Sequence, residues 1–565
     1  MTKKDYANWG KTELVKEINK LEKRKKYGIV WEDKPEKVAD LCKEKLPILE
    51  EDTKKEIKTD DKKPINILIE GDNYHALSVL NYTHKGKVDV IYIDPPYNTG
   101  SKDWKYNNDY VDINDQWRHS KWLSFMEKRI KLAKNLLRNN GIIIIAIDDY
   151  ELFTLGLIAD EIFLEKNRIG IIPVRNNPPG RAISKYFATS HEYYLFYAKN
   201  KNNVKISNIP TQDNGDFKFK DNISVYRRKS LSMRGHGSIK DRPHNYYPIY
   251  INLDSSKVSL EKMPNSLEVF PHKGKDGKQR VWDYPRESMQ NFIEKNDIEF
   301  VIGKDKKVSI YKKDRPERGM RPKSLWLDAK YDSSVYGAVL LKKMFDNKRI
   351  FDYPKSLYAV MDAISVSSDN KKNIIVLDFF AGSGTTGQAV LELNNKDDGK
   401  RTFILCTNNE NNNGNGLGIA EGVCYPRIEK VIKGYNGNKG IDGNLKYFKT
   451  DFVDAEPTDK NKRKMVAKST EMLCLKEECF EEVKKGTDFK IFKNSQDKHL
   501  GIIYDDDGIE PFKREVKKLN KQFVVYVFSL DESAREEEFE DMNGNIELKP
   551  IPAVILNVYK RIFKW

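Results

Sequence analysis

Short runs of apolar residues alternate along much of this chain with stretches of helical spacing. Ile65–Glu70 (INILIE), Val88–Ile93 (VDVIYI) and Gly141–Ile147 (GIIIIAI) are apolar at nearly every position, as are HEYYLFYAK at 191–199, NIIVLD at 373–378 and TFILCT at 402–407. Runs of this length without strict alternation predict strands buried on both faces. Between them, Ala76, Leu77 and Leu80 predict a helix. Leu123, Met126, Ile130, Ala133 and Leu137 predict a longer one, and Leu152 to Phe163 a third. Buried strands alternating with helices predict an α/β fold: a doubly wound, mostly parallel sheet.

The alternation stops between residues 201 and 347, which are polar and carry basic clusters interleaved with Tyr, His and Trp (YRRKSLSMRGHGSIKDRPHNYY and RPERGMRPKSLW). A basic, aromatic block inserted between two halves of a core predicts a nucleic-acid reading domain; a solvated irregular domain is the plainer alternative. The expected organisation is therefore an N-terminal helical arm and linker (1–60), a first core half (61–200), the reading domain (201–347), a second core half (348–425) and a C-terminal α+β extension (426–565). The arm holds an amphipathic helix from Thr12 to Tyr27. The extension has a charged helical half, then strands at FKIFKN, LGIIYDD and QFVVYVFSL, and ends on IPAVILNVYKRIFKW. A dimer or partner surface and a plain packing extension are equal readings of it.

Composition narrows the class. A chain of 565 residues holds roughly three or four domains. A net charge of +15 favours a polyanionic partner, although a Lys- and Asn-rich coding bias competes as the cause. The five cysteines (Cys42, Cys406, Cys424, Cys474, Cys479) form no CxxC pair. They argue against a disulfide framework or a zinc site and fit a reducing cytoplasm. The start, MTKKDYANWGKTEL, has no apolar core, so no signal peptide is expected. No run reaches the roughly 20 apolar residues that span a bilayer, so no membrane partner is expected.

The chemistry concentrates in two motifs. In VDVIYIDPPYNTG the strand must end where Pro95 and Pro96 remove two backbone donors. The resulting turn lies at a strand's carboxyl edge, where open α/β sheets hold ligands. It presents the Asp94 carboxylate, the Pro95 carbonyl and the Tyr97 ring to one small volume. Two acceptors beside a flat ring suit a planar group with an NH₂, such as an exposed nucleobase. In NIIVLDFFAGSGTTGQAVLELN a strand runs into Asp378, then a loop with Gly382, Gly384 and Gly387, then a helix from Thr385. Glycines let backbone approach a ligand, and a helix N-terminus supplies free amides. No GK[ST] follows, which disfavours a nucleoside triphosphate. Glu410, at the end of the next strand, is placed to accept ribose hydroxyls. Asp378, the glycine loop and Glu410 together suit an adenosyl ligand with an amino-acid tail, and Gly384 is expected to leave no room for a side chain between loop and ligand.

Asp-Pro-Pro-Tyr resembles the catalytic motif of the DNA amino-methyltransferases, and DxFxGSGTT their S-adenosylmethionine motif. Catalytic motif first, reading domain next and cofactor motif last is the circularly permuted order of the beta class. Gly71-Asp72-Asn73 resembles that class's acidic strand end near the cofactor adenine, and FDYPKS its motif before the cofactor strand. KYGIVWEDKPE, DPPYNTGS, the WLSFMEKRIKLAKNLL helix with IDDYE, and SHEYYLFYAK resemble the Mod subunits of type III restriction–modification systems. The resemblance implies the methyltransferase fold and methyl transfer from S-adenosylmethionine to N6 of a flipped adenine in double-stranded DNA. Asp94, Pro95, Pro96 and Tyr97 would be catalytic. Asp72, Lys355, Asp378, Phe380, Gly382, Gly384, Thr385 and Glu410 would hold the cofactor. Arg227, Arg228 and Arg234 of the insert are the candidate DNA contacts, and no metal is required. A homodimer and a restriction (Res) subunit are the partners it implies.

Alternatives stay open. Cytosine N4 methylation uses the same amine chemistry, and Asp rather than Ser before PPY tilts toward adenine through the resemblance alone. A DNA-binding specificity subunit that recruits a nuclease is a reading from a different class, opposed by the intact motifs. An RNA methyltransferase is a weaker third.

Overall fold

The structure is a computed structural model. It describes residues 9–15, 34–60, 62–106, 109–112, 114–180, 186–209, 216–232, 239–274, 277–303, 307–316, 319–410, 418–454, 459–494, 497–528, 535–542 and 544–549. The chain divides into two compact units, one formed by residues 1–207 with 323–565 and the other by 208–322.

The first unit is built on a nine-stranded sheet in the spatial order 46–51, 444–453, 65–70, 402–407, 375–378, 88–93, 137–147, 192–198, 168–174. The six strands from 444–453 to 137–147 run parallel. The Glu192–Ala198 strand then turns antiparallel, as does the far edge at Leu46–Glu51. The apolar runs are buried as their composition requires. Every residue of Val88–Ile93 is buried, and Ile142 to Ile147 are solvent-free. The two halves of the core interdigitate rather than lying side by side. Strands 375–378 and 402–407, from the second half, separate 65–70 from 88–93 of the first. The expected doubly wound, mostly parallel sheet is what the chain forms.

Two strands come from segments without a strand signature. Leu46–Glu51 lies in the stretch expected to be linker, and Asn444–Val453 in the expected C-terminal extension; they pair with each other along the sheet edge. The helix Asp459–Glu477 packs on Leu46–Glu51 and on the Asn73–Thr83 helix. Beyond it lies a five-stranded sheet of 481–485, 489–493, 499–503, 523–527 and 546–549. One face of that sheet (Phe492, Leu500, Ile502, Val524, Tyr526) joins the main core. The other (Phe489, Ile491, Ile503, Val525) packs with Phe512 and Val516 of the Ile509–Leu519 helix. This period-two division shows a sheet covered on both sides. The N-terminal helix expected from Thr12 to Tyr27 falls mostly outside the described residues, as does IPAVILNVYKRIFKW. Among the described residues no helix is long and apolar enough to cross a membrane.

The second unit, 208–322, is narrower than the 201–347 expected. It contains a four-stranded sheet (298–302, 308–314, 225–230, 219–220) and a three-stranded one (257–259, 249–252, 266–269). Its core holds Leu231, Tyr247, Ile249, Trp282, Met289 and Ile310. Segment 323–347 belongs to the first unit, where Trp326 N–H and carbonyl bond across to Pro173 and Arg175.

Candidate functional site

Parallel strands share one carboxyl edge, and the two motifs meet there. Val90 and Ile91 pair with Val376 and Leu377, so Asp94 and Asp378 leave adjacent strands at the same end. Trp122 Nε1 donates to the Pro96 carbonyl at 2.7 Å and pins the turn. Asn98, buried at a left-handed φ of 57°, donates to Glu151 Oε1 at 2.6 Å. Glu151 is also 2.6 Å from His119 Nδ1 and accepts the Thr154 hydroxyl.

Lys355, expected among the residues that hold the cofactor, lies beside the Asp94 turn. Its ammonium lies 3.1 Å from Asp94 Oδ1 and 2.7 Å from Glu192 Oε2, and it donates to the Tyr97 hydroxyl. The Tyr97 hydroxyl is 3.2 Å from Glu192 Oε2, which also accepts from Asn176 Nδ2 at 2.7 Å. Lysine and acid thus converge on the Asp94 turn because an ammonium taken from water needs anionic partners. Burial pushes the Asp94 carboxyl above its ordinary range, Lys355 pulls it down and Glu192 pushes it further up. Burial opposes the charge on Lys355, but Asp94 and Glu192 outweigh it and hold the ammonium above its usual value. Tyr97, expected as a stacking ring, has its hydroxyl committed to this cluster. Nearby, burial raises Asp148 to about 7.

The glycine loop is held from within. Asp378 accepts the Phe380 N–H at 2.9 Å and the Thr386 hydroxyl at 2.5 Å, and burial raises its carboxyl to about 7. Both oxygens therefore brace the loop. Gly382 and Gly384 have φ of 48° and 79°. A Cβ on Gly384 would stand 3.1 Å from Cys424 Sγ, so the crowding there comes from the protein's interior rather than from a ligand. Gly387 has a different reason: its Cβ would strike Ile428 and Leu405, so it lets the Thr385–Asp397 helix close on its neighbours. That helix has no side-chain cap, which leaves its first-turn amides available.

Arg427 lies fully buried beneath this loop. It donates to Gln388 Oε1 at 2.9 Å, Thr385 Oγ1 at 2.8 Å and Ser383 Oγ at 3.1 Å, while its Nη2 has no partner among the described residues. Burial lowers this guanidinium to about 10. A buried cation and an uncapped helix start give the loop a positive floor suited to a carboxylate.

Asp72 caps the Asn73–Thr83 helix by accepting from Tyr74 N at 2.7 Å, with Arg129 3.4 Å away. Arg129 is itself buried on Glu36 at 2.6 Å. Gly71 N donates to the Thr407 carbonyl at 3.0 Å, which ties the two strand ends. Asn73 Nδ2 bonds the Phe379 carbonyl at 3.0 Å, and the Phe380 ring lies 5.9 Å from Phe125. The Glu410 carbonyl accepts from Ile419 N at 3.3 Å; the loop that follows Glu410 is outside the described residues.

Within the 208–322 unit the expected DNA contacts are engaged internally. Arg227 Nε is 2.8 Å from Asp314 Oδ2, and Arg228 Nε is 2.8 Å from Glu299 Oε1 with its guanidinium 4.0 Å over the Phe219 ring. Neither is a free cation on that sheet. Arg234 lies outside the described residues. Sequence reasoning passed over Glu192, Glu151, Arg129 and Arg427. The first three stand in segments whose resemblance was noted without a role for them, and nothing in the sequence marks the two arginines as buried.

A DNA methylase family model matches residues 88–417. The chain is 31% identical over 428 residues to the EcoPI Mod subunit of a type III restriction-modification enzyme from Escherichia phage P1, covering 68% of this chain and 65% of that protein. It is 33% identical over 342 residues to the type II methyltransferase M.KpnI from Klebsiella pneumoniae, covering 60% and 79%. To the EcoP15I Mod subunit of Escherichia coli it is 28% identical over 405 residues, covering 63% and 60%. The chain thus spans less than two thirds of the length of either type III relative.

Proposed function

The chain belongs to the DNA methylase family, and from that premise we propose that it transfers a methyl group from S-adenosylmethionine to the exocyclic N6 amine of adenine in double-stranded DNA. The observation that carries this reading is the register of Val90 and Ile91 against Val376 and Leu377, which puts the Asp94 turn and the glycine loop on neighbouring strand ends.

The residues present fit the cofactor. The uncapped Thr385 helix and the buried Arg427 suit its carboxylate, and Asp72 and Glu410 are acids at the ends of the flanking strands. Phe380, Gly382 and Gly384 form the loop after the next strand, 375–378, and Thr385 opens the helix that follows it. Asp378 acts through the loop it braces. When bound, S-adenosylmethionine supplies an electrophilic methyl on sulfur. The chain's own part is to orient the amine. An aromatic amine is a weak nucleophile because its lone pair is shared with the ring. Asp94 and the Pro95 carbonyl accept its two N–H bonds and draw the nitrogen toward tetrahedral geometry, with Tyr97 beside the base. The base must first leave the duplex. Most of the acceleration is positional, and Asp94 adds negative charge next to a nitrogen that becomes positive. The methylated amine carries one proton too many, and Asp94 is placed to take it.

On the likeness to Mod subunits, this chain is the modification and recognition component of a restriction–modification system, with the 208–322 unit reading the DNA, a Res subunit as partner and a homodimer as its assembly. The test is sequencing of host DNA with and without the chain. N6-methyladenine at one sequence context, absent with Asp94→Ala, supports the reading; N4-methylcytosine would replace it with the cytosine alternative.

A further inference from the structure

The proposed reaction needs Asp94 ionised, since a carboxyl that already holds a proton cannot take the one the methylated amine sheds. Burial works against that charge. The titratable groups that surround Asp94 come from several elements: Tyr92 on its own strand, Tyr97 on its turn, Asp378 on one neighbouring strand end and Asp148 on the other, and Glu192 with Tyr194 on the antiparallel strand. Lys355 brings the cation to this set.

One ammonium is shared by two carboxylates, at 3.1 Å for Asp94 and 2.7 Å for Glu192. Glu192 is nearly solvent-free, and its Oε2 gathers Lys355, Tyr97 and Asn176. That convergence fixes where the ammonium stands and holds it on the shorter contact. A lysine paired with Asp94 alone would bind the carboxylate more closely and make it a weaker base for the departing proton. Two acids and one lysine leave the cluster with a net negative charge beside a nitrogen that turns positive.

We propose that Lys355 and Glu192 are positioning residues that set the charge on Asp94 in opposite senses, Lys355 holding it ionised and Glu192 anchoring that ammonium while drawing it away. This rests on the methyl-transfer reading of the site. The proton balance closes on named groups: the methylated amine gives its proton to Asp94, Asp94 releases it to solvent, and Lys355 keeps its own throughout.

The test is the pH profile of methyl transfer by the full chain on duplex DNA, for wild type, Lys355→Met, Lys355→Arg and Glu192→Gln. An opposite charge lowers a carboxyl by about 1–3 pH units, so Lys355→Met should move the acidic limb up by at least about one unit. Glu192→Gln should move it down, and Lys355→Arg should bring it back toward wild type. Movement of both limbs in the same direction, or loss of rate at every pH with the limb unmoved, overturns the proposal. A second measurement needs no turnover: thermal unfolding against pH for wild type, Lys355→Met and Glu192→Gln, each with and without Asp94→Asn. The pH at which Asp94→Asn departs from its parent should rise in the order Glu192→Gln, wild type, Lys355→Met; one common pH overturns the charge assignment. If that order holds while wild type methylates no duplex, the functional reading fails and the charge assignment stands.

Discussion

Asn98 Nδ2 stands 2.6 Å from Glu151 Oε1, which joins the residue after the Asp-Pro-Pro-Tyr turn to a carboxylate that is 0% exposed. The pair holds the turn's exit in a left-handed conformation that asparagine tolerates and alanine does not. Asn98→Gly should cost about 1–3 kcal/mol by leaving the buried acid short of a donor. Asn98→Ala should cost about 1 kcal/mol more, from the positive φ. Denaturant unfolding of both variants checks this. Equal losses would remove the backbone part, and no loss in either would remove the hydrogen bond's role.

Asp94→Ala should reduce methyl transfer by more than a hundredfold, about 2.7 kcal/mol in barrier, and leave cofactor affinity in calorimetry unchanged. A variant within tenfold of wild type would end the catalytic assignment.

Gly384→Val places a branched side chain at φ 79° against Cys424. Overpacking of this kind costs about 1–3 kcal/mol. The variant should therefore melt below wild type, whatever it does to the cofactor. An unchanged melting temperature with lost cofactor affinity would return the crowding to the ligand side.

Asp378 is an acid whose folded value, about 7, lies above its ordinary 3.8. A raised carboxyl means the folded state binds the proton more tightly, so this group's contribution to stability falls as pH rises from about 4 to 7. Asp378→Asn lacks the titration and keeps a carbonyl for the Phe380 N–H. The melting temperature of the variant relative to wild type should shift in the variant's favour between pH 5 and 8. A constant difference would mean that Asp378 is not protonated in the fold.

Arg228 is neutralised by Glu299 and rests on Phe219. Arg228→Ala should lower the unfolding midpoint slightly, since a part-exposed pair contributes at most about 1 kcal/mol, and leave the salt dependence of DNA binding unaltered. A slope reduced by about one would make it a phosphate contact after all.

The sheet was legible wherever burial on both faces forced continuous apolar runs, as at Val88–Ile93 and Ile142–Ile147. It was illegible at Leu46–Glu51, an edge strand only four residues of which are buried, and in Asn444–Val453, whose second half is charged and only partly buried although the strand is paired on both sides. The antiparallel turn at Glu192–Ala198 could not be read either, because direction is set by pairing partners rather than by composition. The Asp94 turn and the glycine loop announced themselves through proline and glycine, whose backbone limits are local. Glu192 did not: it acts through Lys355, 163 positions away. Arg227 and Arg228 looked free for the same reason, since Asp314 and Glu299 reach them only across a sheet.

The interleaving of the two halves bears on how the chain is made. Asp89 Oδ2 takes the Ile375 N–H at 3.0 Å from 286 positions downstream. During synthesis the Val88–Ile93 strand can gain its 137–147 neighbour early, but its other edge stays bare until the second half leaves the ribosome. Contacts of such separation are slow to form, and bare apolar strand edges recruit one another. The nascent chain therefore spends a long stretch of its synthesis, from strand 137–147 to strand 375–378, with the strand that leads to Asp94 half-paired. Chaperone supply and translation rate, rather than the finished protein's stability, should govern how much of it reaches the native state.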